Sequence, residues 1–119
     1  MTADRIFAVL GGLFGAAGVA LSAMAAHRGG AFIGTAATFL LAHAPVLLAI
    51  GLVAAGRPMR LATALLGLGV VLFCGDLLAR EFLGGRLFPF AAPIGGSAMI
   101  LGWLGIALAA LMSPGGGRR

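Results

Sequence analysis

From Ile6 to Ala26 the chain runs for 21 residues without a charged side chain, and three more apolar stretches of similar length follow. A helix rises 1.5 Å per residue, so about 20 such residues cross the ~30 Å hydrocarbon core of a bilayer. No water reaches the backbone there, and each stretch must close its own hydrogen bonds as a helix. The stretches run about Ile6–Ala26, Ala31–Ala55, Leu61–Leu83 and Pro89–Met112, with a loose tail over 113–119. Between them lie His27-Arg28-Gly29-Gly30, Gly56-Arg57-Pro58-Met59-Arg60 and Gly84-Gly85-Arg86. Pro58 opposes helix continuation, and connections this short make neighbouring helices antiparallel. The expected fold is an all-α membrane protein, a single-domain four-helix antiparallel transmembrane bundle with short loops.

Composition excludes a soluble alternative. Only 9% of the 119 residues are charged and 61% are hydrophobic, whereas soluble domains carry about 25% charged residues. The eight basic residues are all arginines, and the acids are Asp4, Asp76 and Glu81. The arginines stand singly or in pairs at the ends of apolar runs, where they meet anionic lipid headgroups. A nucleic-acid partner would need clustered basic residues and stacking aromatics, and none is expected. Arg5, Arg57, Arg60, Arg118 and Arg119 share one side of the membrane, against Arg28, Arg80 and Arg86 on the other. The positive-inside rule then places both termini in the cytoplasm. Ala23-Met24-Ala25 has the small-x-small form of a signal-cleavage site, but the first run exceeds the usual 7–15 residues of a signal core and is expected to remain a span.

Asp76 is the anomaly in this pattern. It follows the uncharged run Leu61–Gly75, and Arg80 lies one helical turn further on. A carboxylate in lipid costs roughly 2.5–3.5 kcal/mol on the insertion scale unless it is compensated. At i and i+4 the two side chains share a helix face and are expected to pair. By depth, His43 falls about twelve residues into the second span, near the midplane; Asp76 and Ser97 fall in the outer half, and His27 ends the first span. His27, His43, Asp76, Arg80 and Ser97 therefore form the candidate intramembrane polar or ligand site. A buried histidine bonded to a helix carbonyl or to the acid is the plainer reading of His43, and Pro45 frees the Leu41 carbonyl nearby. Pro93, Gly95 and Gly96 suggest an irregular entry into the fourth helix, with a plain proline-started helix as the simpler account. Trp103 falls mid-span, which favours interior packing over interfacial anchoring.

Other chemistry finds little support. Cys74 is the single cysteine, so there is no intramolecular disulfide. The His, Cys and Asp residues show no recognised ligand spacing, and neither a metal nor a cofactor is expected. Ser22, Ser97 and Ser113 lack a nucleophile elbow or an evident base, so no catalytic residue and no enzyme activity is expected. Small residues recur at helical steps instead: Gly11, Gly15, Gly18, Ser22 and Ala26 in the first span; Ala98, Gly102, Gly105 and Ala109 in the fourth; and Gly51 with Ala55 in the second. Such faces let backbones approach closely in lipid, within one chain or between copies.

Several segments together resemble the small bacterial inner-membrane family called domain of unknown function 423, whose eukaryotic relatives are called transmembrane protein 256. They are Leu21-Ser22-Ala23-Met24-Ala25-Ala26-His27, Phe39-Leu40-Leu41-Ala42-His43, Leu72-Phe73-Cys74-Gly75-Asp76, and Ala92-Pro93-Ile94-Gly95-Gly96 followed by Leu101-Gly102-Trp103. Ser22 and Ala25 stand where that family has glycines, and some members carry Ser in place of Asp76. The resemblance implies four spans and residence in the bacterial inner membrane, and no activity. The expected function is that of a non-catalytic structural or accessory component in a homo-oligomer or a larger membrane complex. The alternative is a small channel or transporter for protons, a cation or a polar solute, using His43, Asp76 and Arg80.

Overall fold

A computed structural model describes residues 3–113 as four helices: α1 (Ala3–Arg28), α2 (Ala31–Leu52), α3 (Arg57–Phe82) and α4 (Ala91–Met112). Each is long and apolar enough to cross a membrane. The fold measures 50 × 27 × 23 Å. Its long axis exceeds the ~30 Å hydrocarbon core, so the helix ends reach the headgroup regions. The tail expected over 113–119 lies outside the described residues from Pro114 onward.

The helices form two tight antiparallel hairpins, α1–α2 and α3–α4, joined through contact between α2 and α3. The small residues explain the tightness. A methyl group at Gly11 would stand 2.8 Å from the Leu48 amide nitrogen, and one at Gly51 would stand 2.5 Å from that of Ala8. In the second hairpin a methyl at Gly102 would reach 2.8 Å from the Leu66 Cα, and one at Gly69 would meet the Gly95 carbonyl at the same distance. Both small-residue faces thus serve packing within the chain. Where backbones approach this closely, dispersion replaces the hydrophobic effect, which is absent between helices in lipid.

Helices α2 and α3 occupy the centre, with α1 and α4 flanking them. Ile33, Leu47, Leu66 and Val70 of the central pair are fully buried, with Phe7 and Phe14 of α1 and Met99 of α4 packed around them. On the outer faces Val19, Leu68, Leu104 and Leu108 are exposed. A side chain as apolar as lipid has no reason to turn inward, so this distribution suits a membrane-embedded surface.

Helix boundaries differ from the sequence reading at several points: α1 extends to Ala3 and Arg28, α2 ends at Leu52 instead of Ala55, and the starts of α3 and α4 also shift. Helix α3 begins at Arg57, earlier than the expected Leu61, with Pro58 in its first turn. A proline there removes an amide that would have no helical partner anyway, so it starts the helix instead of delaying it. The entry to α4 is irregular at Phe90, which adopts left-handed geometry (φ 67°), while Pro93, Gly95 and Gly96 are all helical. Pro93 sits in the first turn and breaks no helical bond. Gly95 is a packing residue: a methyl there would stand 2.7 Å from the Phe73 nitrogen.

Candidate functional site

Asp76 is completely buried (0% exposed) near the end of α3. Its Oδ2 accepts two hydrogen bonds from Arg80, from Nε at 3.1 Å and from Nη2 at 2.8 Å. Its Oδ1 accepts the backbone N–H of Leu87 at 2.8 Å, from the turn leading to α4. Both oxygens are therefore occupied, one by a charge on the same helix and one by the backbone of the following turn. The Arg80 guanidinium also stands 5.5 Å from the centroid of the Phe32 ring on α2. Its side chain is 22% exposed, which lets it reach toward the interface as long basic side chains do.

A second tie closes the same end of the bundle. Arg28, in the last turn of α1, pairs with Glu81 of α3 at 3.4 Å and lies over the Phe82 ring at 5.3 Å. Gly29 (φ 76°), Gly30 (φ 111°) and Gly84 (φ 82°) form the two turns there. Their left-handed backbones are open to glycine at little steric cost.

His43 belongs to a different group. It is 6% exposed; its Nδ1 lies 2.7 Å from the Phe39 carbonyl, and its Nε2 lies 3.2 Å from Nε1 of Trp103 on α4. An indole N–H can only donate, so Nε2 accepts. The ring hydrogen is then on Nδ1, which donates to the Phe39 carbonyl. Both ring nitrogens are thereby engaged. Phe39 stacks on the imidazole at 6.0 Å and tilts against Phe73 at 4.7 Å, so the group is aromatic on three helices.

The two groups are not joined. Phe32 lies level with Arg80, and Phe39 with Phe73. On that register His43 is level with about Gly69, some seven residues below Asp76, or ~10 Å along the axis. Cys74 occupies part of the interval, with its buried thiol 3.6 Å from the Ala36 carbonyl. Of the sequence-derived candidates, the fold brings Asp76 and Arg80 together and places His43 with Trp103. His27 is exposed at the end of α1, and Ser97 is exposed on the outer face of α4, beside Leu65 and Pro93. Neither joins Asp76. Among the described residues no three His, Cys, Asp or Glu side chains converge as a metal-binding set.

Two participants escaped the sequence reading. Trp103 reads as packing, yet its indole N–H is the donor to His43. A lone mid-span tryptophan, whose N–H needs an acceptor in lipid, was the available signal. The Leu87 amide carries no signal in its residue type, because a backbone donor becomes visible only once the path of the turn is known.

The sequence profile of the family described as protein of unknown function (DUF423) matches residues 12–96. This chain belongs to that family. Among similar proteins, the UPF0382 membrane protein of Haemophilus influenzae is 30% identical over 105 residues, which cover 80% of this chain and 85% of the relative. No solved structure matches the chain. Family membership brings no assigned activity with it, but the matched segment of this DUF423 protein includes His27, His43, Asp76 and Arg80.

Proposed function

We propose that this multi-pass membrane protein is a non-catalytic structural or accessory component of the bacterial inner membrane. Both termini face the cytoplasm, and the protein works as a homo-oligomer or inside a larger membrane complex. One observation carries the reading: Asp76 and His43, the ionisable side chains buried within the bundle, are engaged by the chain itself. Asp76 holds Arg80 and Leu87, and His43 holds Phe39 and Trp103. A proton or ion carrier would present such groups to a water-filled path. Here they bind a helix to its outgoing turn and one hairpin to the other.

Association is supported by a second small-residue stripe. Gly12, Ala16 and Ala20 are all exposed on α1, away from the glycine face used against α2, and a methyl at Gly12 would meet nothing within 4 Å. Such a stripe suits close approach by another helix. The arginine bias supports the orientation.

The test is purification from native membranes in mild detergent, followed by mass determination and identification of co-purifying chains. A fixed homo-oligomer or a defined partner is expected. A monodisperse, partner-free monomer would overturn the reading. A pH- or ion-dependent flux in liposomes that Asp76→Asn abolishes, with assembly intact, would replace it with transport.

A further inference from the structure

A cleft of about 400 Å³ runs between α1 and α3, with Leu47 of α2 also lining it. Phe7, Phe14 and Leu47 form its buried floor, and Ile6, Leu68 and Val71 its exposed rims. The one hydroxyl in its wall, on Thr63, donates to the Met59 carbonyl at 2.8 Å, which leaves the lining apolar. The cleft extends from Ile6 to Phe14 on α1 and from Thr63 to Val71 on α3, eight residue steps on each helix. At 1.5 Å per residue that is ~12 Å, close to the ~15 Å depth of one leaflet of the hydrocarbon core.

Its position along the bundle is equally specific. Helices α1 and α3 run parallel, since each is antiparallel to α2, and Ile6 and Thr63 mark the same end of the cleft. Arg5 and Arg60 lie immediately beyond that end, with Arg57 one turn further along α3. Arg60 shares a helix face with the lining residues Ala64, Gly67 and Val71, at spacings of four, seven and eleven. One of its N–H groups goes to the Ala55 carbonyl, out of the five a guanidinium carries. Asp4 is the one acid at this level, so three arginines leave the mouth net positive.

We infer that the α1–α3 cleft is a binding site for one anionic phospholipid of the leaflet on the N-terminal side, with an acyl chain along Phe7, Phe14 and Leu47 and the phosphate at Arg60. The apolar lining selects a hydrocarbon chain, its length matches one leaflet, and the arginines at one end select a negative headgroup. The positive-inside orientation makes this the cytoplasmic leaflet, where anionic headgroups draw basic residues.

The full-length protein, purified in mild detergent and stripped of lipid, is titrated with dioleoyl phosphatidylglycerol or dioleoyl phosphatidylcholine, with adducts read by native mass spectrometry. One phosphatidylglycerol is expected to bind about tenfold or more tightly than phosphatidylcholine, the order of a charge-assisted hydrogen bond. Arg60→Gln removes most of this preference by weakening phosphatidylglycerol and leaves phosphatidylcholine affinity unchanged. Ala64→Leu and, separately, Val71→Phe fill the cleft and weaken both lipids by about tenfold, on the scale of a lost apolar contact. Unchanged helicity by circular dichroism identifies the variants that fold, and the Arg60 arm tests the site without altering the cleft. Millimolar inorganic phosphate leaves binding unchanged if the acyl chain is part of recognition. Equal affinity of the native chain for the two lipids would overturn the assignment, as would full retention in folded cleft variants. A dimer that the cleft variants dissolve would give the cleft to a second copy instead.

Discussion

Leu87 donates its backbone N–H to Asp76 across the α3–α4 turn, at 2.8 Å. The acid that looks most out of place in the sequence is thus the anchor of a connection. Arg80 neutralises the charge, and the carboxylate's other oxygen fixes the path of residues 83–90. Asparagine at position 76 keeps an acceptor for Leu87 but leaves Arg80 without its counter-ion; alanine removes both functions. Breaking one partner of a buried pair costs 3–5 kcal/mol, and Arg80, partly exposed near an interface, recovers part of that by reaching outward. The expected loss is ~1–3 kcal/mol for Asp76→Asn and more for Asp76→Ala. Unfolding in mixed micelles measures it. Hydrogen exchange at Leu87 is expected to rise in Asp76→Ala and to stay low in Asp76→Asn.

The His43–Trp103 bond joins the two hairpins near the midplane, and its value is open to a double-mutant cycle. Hydrogen bonds between helices in bilayers average ~0.6 kcal/mol and reach ~1.7. His43→Phe and Trp103→Phe are each expected to destabilise by ~1 kcal/mol, and the double variant by less than their sum, with a coupling of ~0.6–1.7 kcal/mol. Strict additivity would show that the bond contributes nothing. Trp103 is 43% exposed, so its fluorescence in bilayers reports the same contact: the His43 variant changes its emission while the chain stays folded.

These two groups differ in how far the sequence reveals them. Asp76 and Arg80 are one turn apart on one helix, so their meeting follows from spacing alone. His43 and Trp103 are on α2 and α4, and their meeting depends on the relative height and rotation of two hairpins. Apolar runs do not encode that register, because lipid is as good a neighbour for leucine as another helix. The spans were legible for the complementary reason: their length is set by the bilayer. Glycine spacing marked the packing faces on α1 and α4, though not which neighbour each would meet. Pro93 and Gly95 read as an irregularity because helix-breaking residues stand close together; one falls in the first turn, and the other is needed for contact with Phe73.

Glycines of the same type should therefore respond in opposite ways. A methyl at Gly102 would stand 2.8 Å from both the Leu66 Cα and Cβ, while one at Gly12 would meet nothing within 4 Å. Gly102→Ala forces α3 and α4 apart and is expected to cost ~1–3 kcal/mol through overpacking. Gly12→Ala meets no steric resistance and restricts the unfolded chain, for a gain of ~0.4–1 kcal/mol in the monomer. Thermal unfolding of the two variants in one detergent compares them directly. If Gly12 lies at a contact between copies, the same substitution lowers the oligomer fraction in size-resolved measurements while monomer stability rises.

Phe90 supplies a further contrast, since it carries a left-handed backbone at the start of α4 (φ 67°) with its side chain 68% exposed. For a bulky residue that conformation costs roughly 1–2 kcal/mol, whereas asparagine tolerates it through local hydrogen bonding. The ring is exposed in the folded bundle and stays exposed when the helices separate, so its transfer energy largely cancels between the two states. Strain relief then decides the sign. Phe90→Asn is expected to raise stability by ~0.5–1 kcal/mol, while Phe90→Ala, which keeps a β-carbon and gains no local hydrogen bond, leaves it unchanged or lower. Unfolding midpoints for the three chains check this ordering. A more stable alanine variant would show that the ring, and not the backbone angle, is the unfavourable element.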